Sequence, residues 1–245
     1  MVLGAGGRSV VAFVPALNEE GTIGGVVAGA LRYVDRVVVV DDLSVDNTAQ
    51  CARGAGAHVV SLDRRRRVGG VVRAGLSYVR GLDPDVVVIL DGDGQHCPND
   101  IPRLLEALGG GADVVVGSRF LYNHLNHRRG LNAWYFRQRT HVHLKGLGNW
   151  FFSKLVSALT GRYLTDVMSG FKALNKDALG ALDLRFDYAY CPEMAMALCF
   201  RGFKVREVPI ETRSRVRGTS KVVVNIVPYG LKQLGIIFFT LLRRY

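Results

Sequence analysis

The first half of the chain alternates two kinds of hydrophobic pattern. Residues 9–15 (SVVAFVP), 35–42 (DRVVVVDD), 58–62 (HVVSL), 85–91 (DVVVILD) and 112–118 (ADVVVGS) are short, valine-rich runs with little polar interruption. Runs of this kind are buried on both faces, as in the strands of a parallel sheet. Between them the period changes. Ile23, Val26, Val27, Ala30 and Leu31 follow Asn18 at helical spacing, and Ile101, Leu104, Leu105 and Leu108 do so after Pro98, with Asn99 and Asp100 in the first turn. The repeated alternation of strand and helix predicts a doubly wound α/β sheet, a class whose ligands bind beyond the carboxyl ends of the strands.

Three acid-bearing turns, PALNEE (15–20), VDDLSVDNT (40–48) and LDGDGQH (90–96), then fall on one rim. In the third, Asp91 and Asp93 share a face if extended geometry continues past Leu90. Two neighbouring carboxylates repel each other and gain most by sharing a cation. Mg²⁺ or Mn²⁺ held this way uses one or two carboxylates and takes its other ligands from water and phosphates. Gly92 and Gly94 let the backbone turn and let a bulky anion approach. A bare D-x-D is also an ordinary polar turn after a strand, so its surroundings must decide.

Beyond Ser118 the pattern changes to a long His- and Arg-rich helical stretch, then TDVMSGFKAL (165–174), a helix over PEMAMALCFRG (192–202), a strand over KVREVPIE (204–211) and a basic turn, RSRVRGTSK (213–221). No internal repeat or low-complexity linker is present. The tail, residues 222–242, is apolar but broken by Asn225, Pro228, Lys232 and Gln233 and closed by Arg243 and Arg244. Its longest apolar piece is too short to span a bilayer, which predicts a C-terminal interfacial helix over a plain core or dimer helix. The expected organisation is a domain over 1–221, divided into halves at 1–118 and 119–221, followed by a membrane-surface tail over 222–245.

Composition narrows the class. At 245 residues and 49% hydrophobic, the chain can bury a substantial core and is not a disordered protein. Cys51, Cys97, Cys191 and Cys199 form no C-x-x-C pair, which predicts neither a zinc site nor a disulfide framework and fits a reducing, cytoplasmic setting. The apolar run at the start runs directly into a charged turn and reads as the first strand, not a signal peptide.

Charge adds more by its distribution than by its total of +11. Residues 1–113 hold 14 of the 21 acids against 11 basic residues, whereas 114–165 hold no acid, eight Lys or Arg and four His. Residues 212–245 again hold no acid and seven basic residues. With 25 Arg against 7 Lys, codon bias explains why arginine replaces lysine, but not why acids vanish from two blocks. Such basic blocks suit nucleic acid, an anionic membrane surface or a phosphorylated substrate.

In their order and spacing, VPALNEE, VVVVDDLSVDNT, ILDGDGQH, VVGSRF, DVMSGFKAL and EVPIETRSRVRGTSK resemble the family 2 glycosyltransferases of the GT-A fold. Within them they are similar to the dolichol-phosphate mannose synthases and related polyprenyl-phosphate glycosyltransferases. The resemblance covers nearly the whole chain. It implies a GT-A, Rossmann-like, mostly parallel sheet flanked by helices, and metal-dependent, inverting transfer of a hexosyl group from a GDP- or UDP-linked sugar to a polyprenyl phosphate. It further implies that Pro15, Asn18 and Glu19 line the nucleotide entrance and Asp42 contacts the base. Asp91, Asp93 and Gln95 would hold Mg²⁺ or Mn²⁺ and the diphosphate, and Arg119 would face the sugar diphosphate. Leu43 stands where the family usually has Gly, residues 64–70 (RRRRVGG) replace a Gly/Lys turn, and Cys97 stands where Pro is common. None of these departures touches the metal turn.

The acceptor remains. Lys145 and Asn149 lie i, i+4 on one helical face, and Arg215, Ser220 and Lys221 lie in the basic turn; similar family positions bind an acceptor phosphate. Asp93, Arg119, Lys145 and Asn149 are therefore the expected catalytic set. A lipid phosphate is already anionic and needs no base, whereas a sugar hydroxyl acceptor needs one, for which Glu193 is the candidate. A carboxylate in a helix's first turn is also ordinary dipole compensation. A nucleic-acid-binding module is disfavoured because no binding motif or interleaved aromatic series accompanies the basic blocks. A nucleotidyltransferase is disfavoured for want of a Gly-rich phosphate loop, and a silent lipid-binding relative by the intact D-G-D-G-Q. The expected location is the cytoplasmic membrane face, peripherally attached.

Overall fold

The computed structural model describes residues 7–121, 140–213 and 226–243. Seven strands form one sheet: β1 (Val10–Ala16), β2 (Arg36–Asp41), β3 (His58–Ser61), β4 (Val86–Ile89), β5 (Val114–Ser118), β6 (Lys172–Asn175) and β7 (Val205–Pro209). Their order across the sheet is β3-β2-β1-β4-β6-β5-β7, and every pairing is parallel except those of β6, which runs antiparallel between β4 and β5. The valine runs are therefore strands. Lys172–Asn175 lacks their composition, and its place in the middle of the sheet was not visible in the pattern.

Because side chains alternate across a strand, each run supplies both faces at once. Val10, Ala12 and Val14 join Val37, Val39, Val86 and Val88 under α1 (Ile23–Ala30), α2 (Thr48–Gly54) and α4 (Ile101–Gly109), while Val11 and Phe13 join Val38, Val40, Val87 and Ile89 on the opposite face. That second layer is covered by α3 (Arg67–Arg80), α6 (Lys176–Ala181) and α7 (Cys191–Phe200). Ile23, Val26, Val27 and Ala30 in α1, and Ile101, Leu104 and Leu108 in α4, are the buried stripes that the spacing predicts. Truncating a buried leucine such as Leu104 to Ala would cost about 3 kcal/mol.

Two further helices, α5 (Thr140–Thr160) and α8 (Ile226–Leu242), pack against α7 through a third cluster that includes Phe152, Val156, Met196 and Ile237. Of α8, Gln233, Ile236, Ile237 and Thr240 are buried, but Val227, Leu231, Phe238, Phe239 and Leu242 remain exposed. One side of the tail helix is thus core and another is an apolar surface. The expected boundary at 221/222 lies outside the described residues. No helix among the described residues is long and apolar enough to cross a membrane.

Candidate active site

The carboxyl ends of β1, β2 and β4 are neighbours, so their turns meet on one rim. Past β1 the chain turns at Asn18 (φ 51°), whose N–H donates to Ser44 Oγ at 2.9 Å and whose Oδ1 accepts from Val45 N–H at 2.9 Å. The Glu19 N–H donates to Thr48 Oγ1 at 2.7 Å, and the Glu19 carbonyl accepts from Thr22 and Ile23 where α1 begins. The first two turns are therefore laced into one unit. Leu43 adopts φ 59° with its side chain about half exposed, so the turn keeps a glycine-like backbone at a cost of about 1 kcal/mol. The Asp42 carboxylate is buried and accepts from Arg66 N–H at 2.7 Å. Burial pushes its pKa up, against the opposing pull of that hydrogen bond and of Arg65. Pro15 sits in register with Val40, and its carbonyl backs Gly92, where a Cβ would come within 3.3 Å of it.

At the Asp91–Asp93 turn the extended geometry on which a shared strand face depends does not continue. Extended pairing stops at Ile89, two residues before Asp91, so strand alternation does not set the two aspartates on one face; the turn through Gly92 and Gly94 (φ 74°) places them. The Asp91 side chain is 38% exposed, whereas Asp93 turns inward and accepts from Gln95 N–H at 3.0 Å. The Gln95 amide nitrogen makes a long 3.5 Å contact to the Arg213 carbonyl, leaving its oxygen as the ligand atom it can offer. Among the described residues no group of three His, Cys, Asp or Glu side chains has metal-binding geometry. A cation here takes two carboxylates at most from such side chains and needs phosphate or water for the rest, as Mg²⁺ and Mn²⁺ do. The residues fit that ion and not a closed protein cage.

His96 and Gly170 shape this turn, and the sequence pointed to neither. His96 is buried, its Nδ1 accepts from Asp91 N–H at 3.2 Å, and burial together with Arg119 pushes its pKa down to about 4. Its 3.6 Å approach to Asp91 Oδ2 is therefore not an ion pair at neutral pH, and His96 brings no positive charge to the site. Gly170 lies against the Asp91 carboxylate so closely that a Cβ there would sit 2.8 Å and 2.9 Å from its two oxygens.

The Arg119 guanidinium is gripped edge-on by Asp166, Nε at 2.7 Å and Nη2 at 2.8 Å, and the Arg119 N–H adds a third bond at 3.0 Å. Asn149 Nδ2 donates to the same carboxylate at 2.8 Å. Asp166 is 0% exposed; burial favours its neutral form, but the Arg119 charge and these hydrogen bonds outweigh burial and lower its pKa. Glu207 on β7 fixes the loop by accepting from the Thr165 and Asp166 N–H groups at 2.7 and 2.8 Å. Asp166 does carry a sequence signal: it is the first acid after the acid-free block, and it pairs with that block's first arginine.

Asn149 is thus buried behind Asp166, with its amide nitrogen committed. Lys145 lies on α5, with its side chain outside the described residues, as are Arg215, Ser220 and Lys221. Glu193 is fully buried, and its carboxylate oxygens accept from Arg185 N–H at 2.8 Å and Phe186 N–H at 3.3 Å. Burial raises its pKa to about 7, although both hydrogen bonds oppose the shift. The structure gives it the work of pinning the 185–186 loop.

Known proteins are similar to this chain in sequence and in fold. Residues 11–182 match the family described as glycosyl transferase family 2. The chain is 30% identical to an undecaprenyl-phosphate mannosyltransferase of Micrococcus luteus, over 91% of this chain and 94% of that protein. It is 28% identical to a UDP-N-acetylglucosamine–dolichyl-phosphate N-acetylglucosaminyltransferase of Methanococcus voltae, over 93% of this chain and 96% of that one. Among solved structures, glucosyl-3-phosphoglycerate synthase of Mycobacterium tuberculosis, in complex with Mn²⁺, UDP-glucose and phosphoglyceric acid, superposes with a TM-score of 0.72 at 21% identity, covering 96% of this chain and 80% of that one. The architecture is the GT-A fold, and the chain belongs to glycosyltransferase family 2.

Proposed function

We propose that the protein transfers a hexosyl group from a GDP- or UDP-linked sugar to a polyprenyl phosphate at a membrane surface, on the cytoplasmic face. One observation carries the acceptor. Helix α5 brings Asn149 to the Arg119–Asp166 pair and, around that buried amide, exposes Leu147, Trp150 and Phe151. A polar, arginine-bearing cluster beside an uncovered apolar helix face suits a phosphate joined to a hydrocarbon chain. The exposed residues of α8 extend the apolar surface available to a bilayer. The names of the Micrococcus and Methanococcus relatives, which act on undecaprenyl and dolichyl phosphates, support this reading.

In the reaction an acceptor phosphate oxygen attacks the anomeric carbon with inversion as the bond to the donor diphosphate breaks, its electron pair leaving on the diphosphate oxygen. A divalent cation such as Mg²⁺ or Mn²⁺, when bound at this turn, would supply positive charge to the departing diphosphate. Asp91 and Asp93 would hold the ion, with Gln95 beside them, and the laced turns at Asn18 and Glu19 and the buried Asp42 would position the nucleotide. Arg119, its plane fixed by the ionised Asp166 that offsets its charge, presents an oriented guanidinium where negative charge develops. Lys145, Arg215, Ser220 and Lys221 are the proposed acceptor-phosphate contacts, with Asn149 placing Asp166. No proton has to leave the nucleophile, so no base is needed.

The test offers radiolabelled UDP- and GDP-hexoses with Mn²⁺ and, in one mixture, polyprenyl phosphate in vesicles and 3-phosphoglycerate in solution. The label should pass to the organic phase. Label on phosphoglycerate alone would move the protein to a small-acceptor class, the class of its structural neighbour.

A further inference from the structure

Lys172 is 1% exposed, on β6 between the strand that ends at the metal turn and the strand that ends at Arg119. A lysine buried this deeply ordinarily has a carboxylate beside it, because an uncompensated ammonium costs several kcal/mol in a dry interior. Among the described residues its hydrogen-bond and ring contacts are neutral: the ammonium donates to the Ser169 carbonyl, lies 5.5 Å from the centroid of the Tyr190 ring and sits within hydrogen-bonding reach of the Cys191 thiol. Tyr190 and Cys191, at the start of α7, close over the same turn, the phenol donating to Gly170 O and the thiol to Ser169 O, each at 3.5 Å. The other side of that turn is Gly170, packed directly on the Asp91 carboxylate. One peptide unit, Ser169–Gly170, thus separates a buried cation from a carboxylate of the metal turn. Packing alone would be served as well by methionine in this layer, where Met194 and Leu174 already lie.

We propose that Lys172 is a positioning residue of the donor site, a buried positive charge that restrains binding of metal by itself at the Asp91–Asp93 turn and strengthens binding of the nucleotide diphosphate. The inference rests on the donor-site reading above. Its electrostatic logic has two signs. A fixed cation repels a divalent metal arriving alone at Asp91 and Asp93 and attracts the polyanionic diphosphate, so it favours loading of metal and donor together over metal by itself. The same charge lies behind the leaving group as the sugar bond breaks.

The experiment measures two affinities separately in the full chain: Mn²⁺ alone, by electron paramagnetic resonance, and UDP and GDP in chelator, by titration calorimetry. K172M should bind Mn²⁺ about three- to tenfold more tightly and the preferred nucleotide about three- to tenfold more weakly. K172Q, which keeps a donor for Ser169 O and loses the charge, should move both in the same directions, and thermal melts report whether either variant is folded. Both affinities weakening together, or recovery of both in K172Q, would show a bracing role and overturn the proposal. A wild-type protein that takes up no Mn²⁺ and no nucleotide would instead remove the donor-site reading and this inference with it.

Discussion

The acid-rich and acid-free parts of the chain solve opposite problems on the same rim. Along the rim within residues 1–113, the carboxylates after β2 and β4 take structural bonds from backbone N–H groups and hydroxyls: Ser44 and Thr48 serve Asp41 and Asp46, the Arg66 N–H serves Asp42, and the Gln95 N–H serves Asp93. Neutral donors hold a carboxylate in place without cancelling its charge. From 114 to 165 the relation inverts. The arginine at the strand end is matched by one deeply buried acid from the next block, Asp166, in a bidentate pair that fixes its plane. On the proposed reading the first arrangement would leave negative charge for a cation, and the second would set the orientation of a guanidinium for an anion.

The sharpest way to break this contrast is to neutralise the acidic side. Asp91→Asn or Asp93→Asn should lower transfer about a thousandfold while the melting temperature stays near wild type, measured by product formation and calorimetry. Gly170→Ala should lower transfer about tenfold, because its new Cβ must displace the Asp91 oxygens. On the basic side, Asp166→Asn leaves Arg119 without its buried counter-charge. It should destabilise the protein by about 3 kcal/mol and reduce transfer, and an added Arg119→Met should recover part of the stability but none of the activity.

Glu193 separates structure from chemistry. Its folded pKa of about 7 lies above its ordinary 4.5, so the folded state binds more protons than the unfolded one between those values. Its contribution is fully present below pH 4.5 and is lost as the pH rises toward 7, a swing on the order of 3 kcal/mol. His96 acts in the opposite sense, its contribution being lost as the pH falls from 6.5 toward 4. The difference between wild type and Glu193→Gln in denaturant titrations isolates the first effect: the wild type should lose stability relative to the variant as the pH rises through 4.5 to 7. The smallest effect belongs to the apolar surface. Trp150→Ser with Phe238→Ser should reduce sedimentation with anionic vesicles about tenfold, and leave transfer to a short, water-soluble polyprenyl phosphate within about twofold.

Much of the donor end was legible because it depends on local pattern. Valine runs gave the strands, helical spacing gave α1 and α4, and the acids between them fell on one rim by topology. Asp166, Glu207, His96 and Gly170 act through contacts between segments 40 or more residues apart, or through burial, and neither has a period. The condition for Asp91 and Asp93 to share a strand face is not met for the same reason, since the turn after Ile89 is set by packing against Thr22 and Gly170. Leu43 shows the converse: a backbone conformation that usually selects glycine persists with a leucine once its neighbours Asp41 and Ser44 bond across it.

The claim that the two sides divide the chemistry, with an already ionised nucleophile on the basic side, is tested most directly by the pH dependence of kcat for polyprenyl phosphate in wild type and Glu193→Gln. A phosphate acceptor titrates near pH 6 by its second ionisation, and that limb should appear unchanged in both proteins. A wild-type limb near pH 7 that vanishes in Glu193→Gln, with kcat falling a hundredfold or more in a folded, nucleotide-binding variant, would make Glu193 a general base and contradict the account.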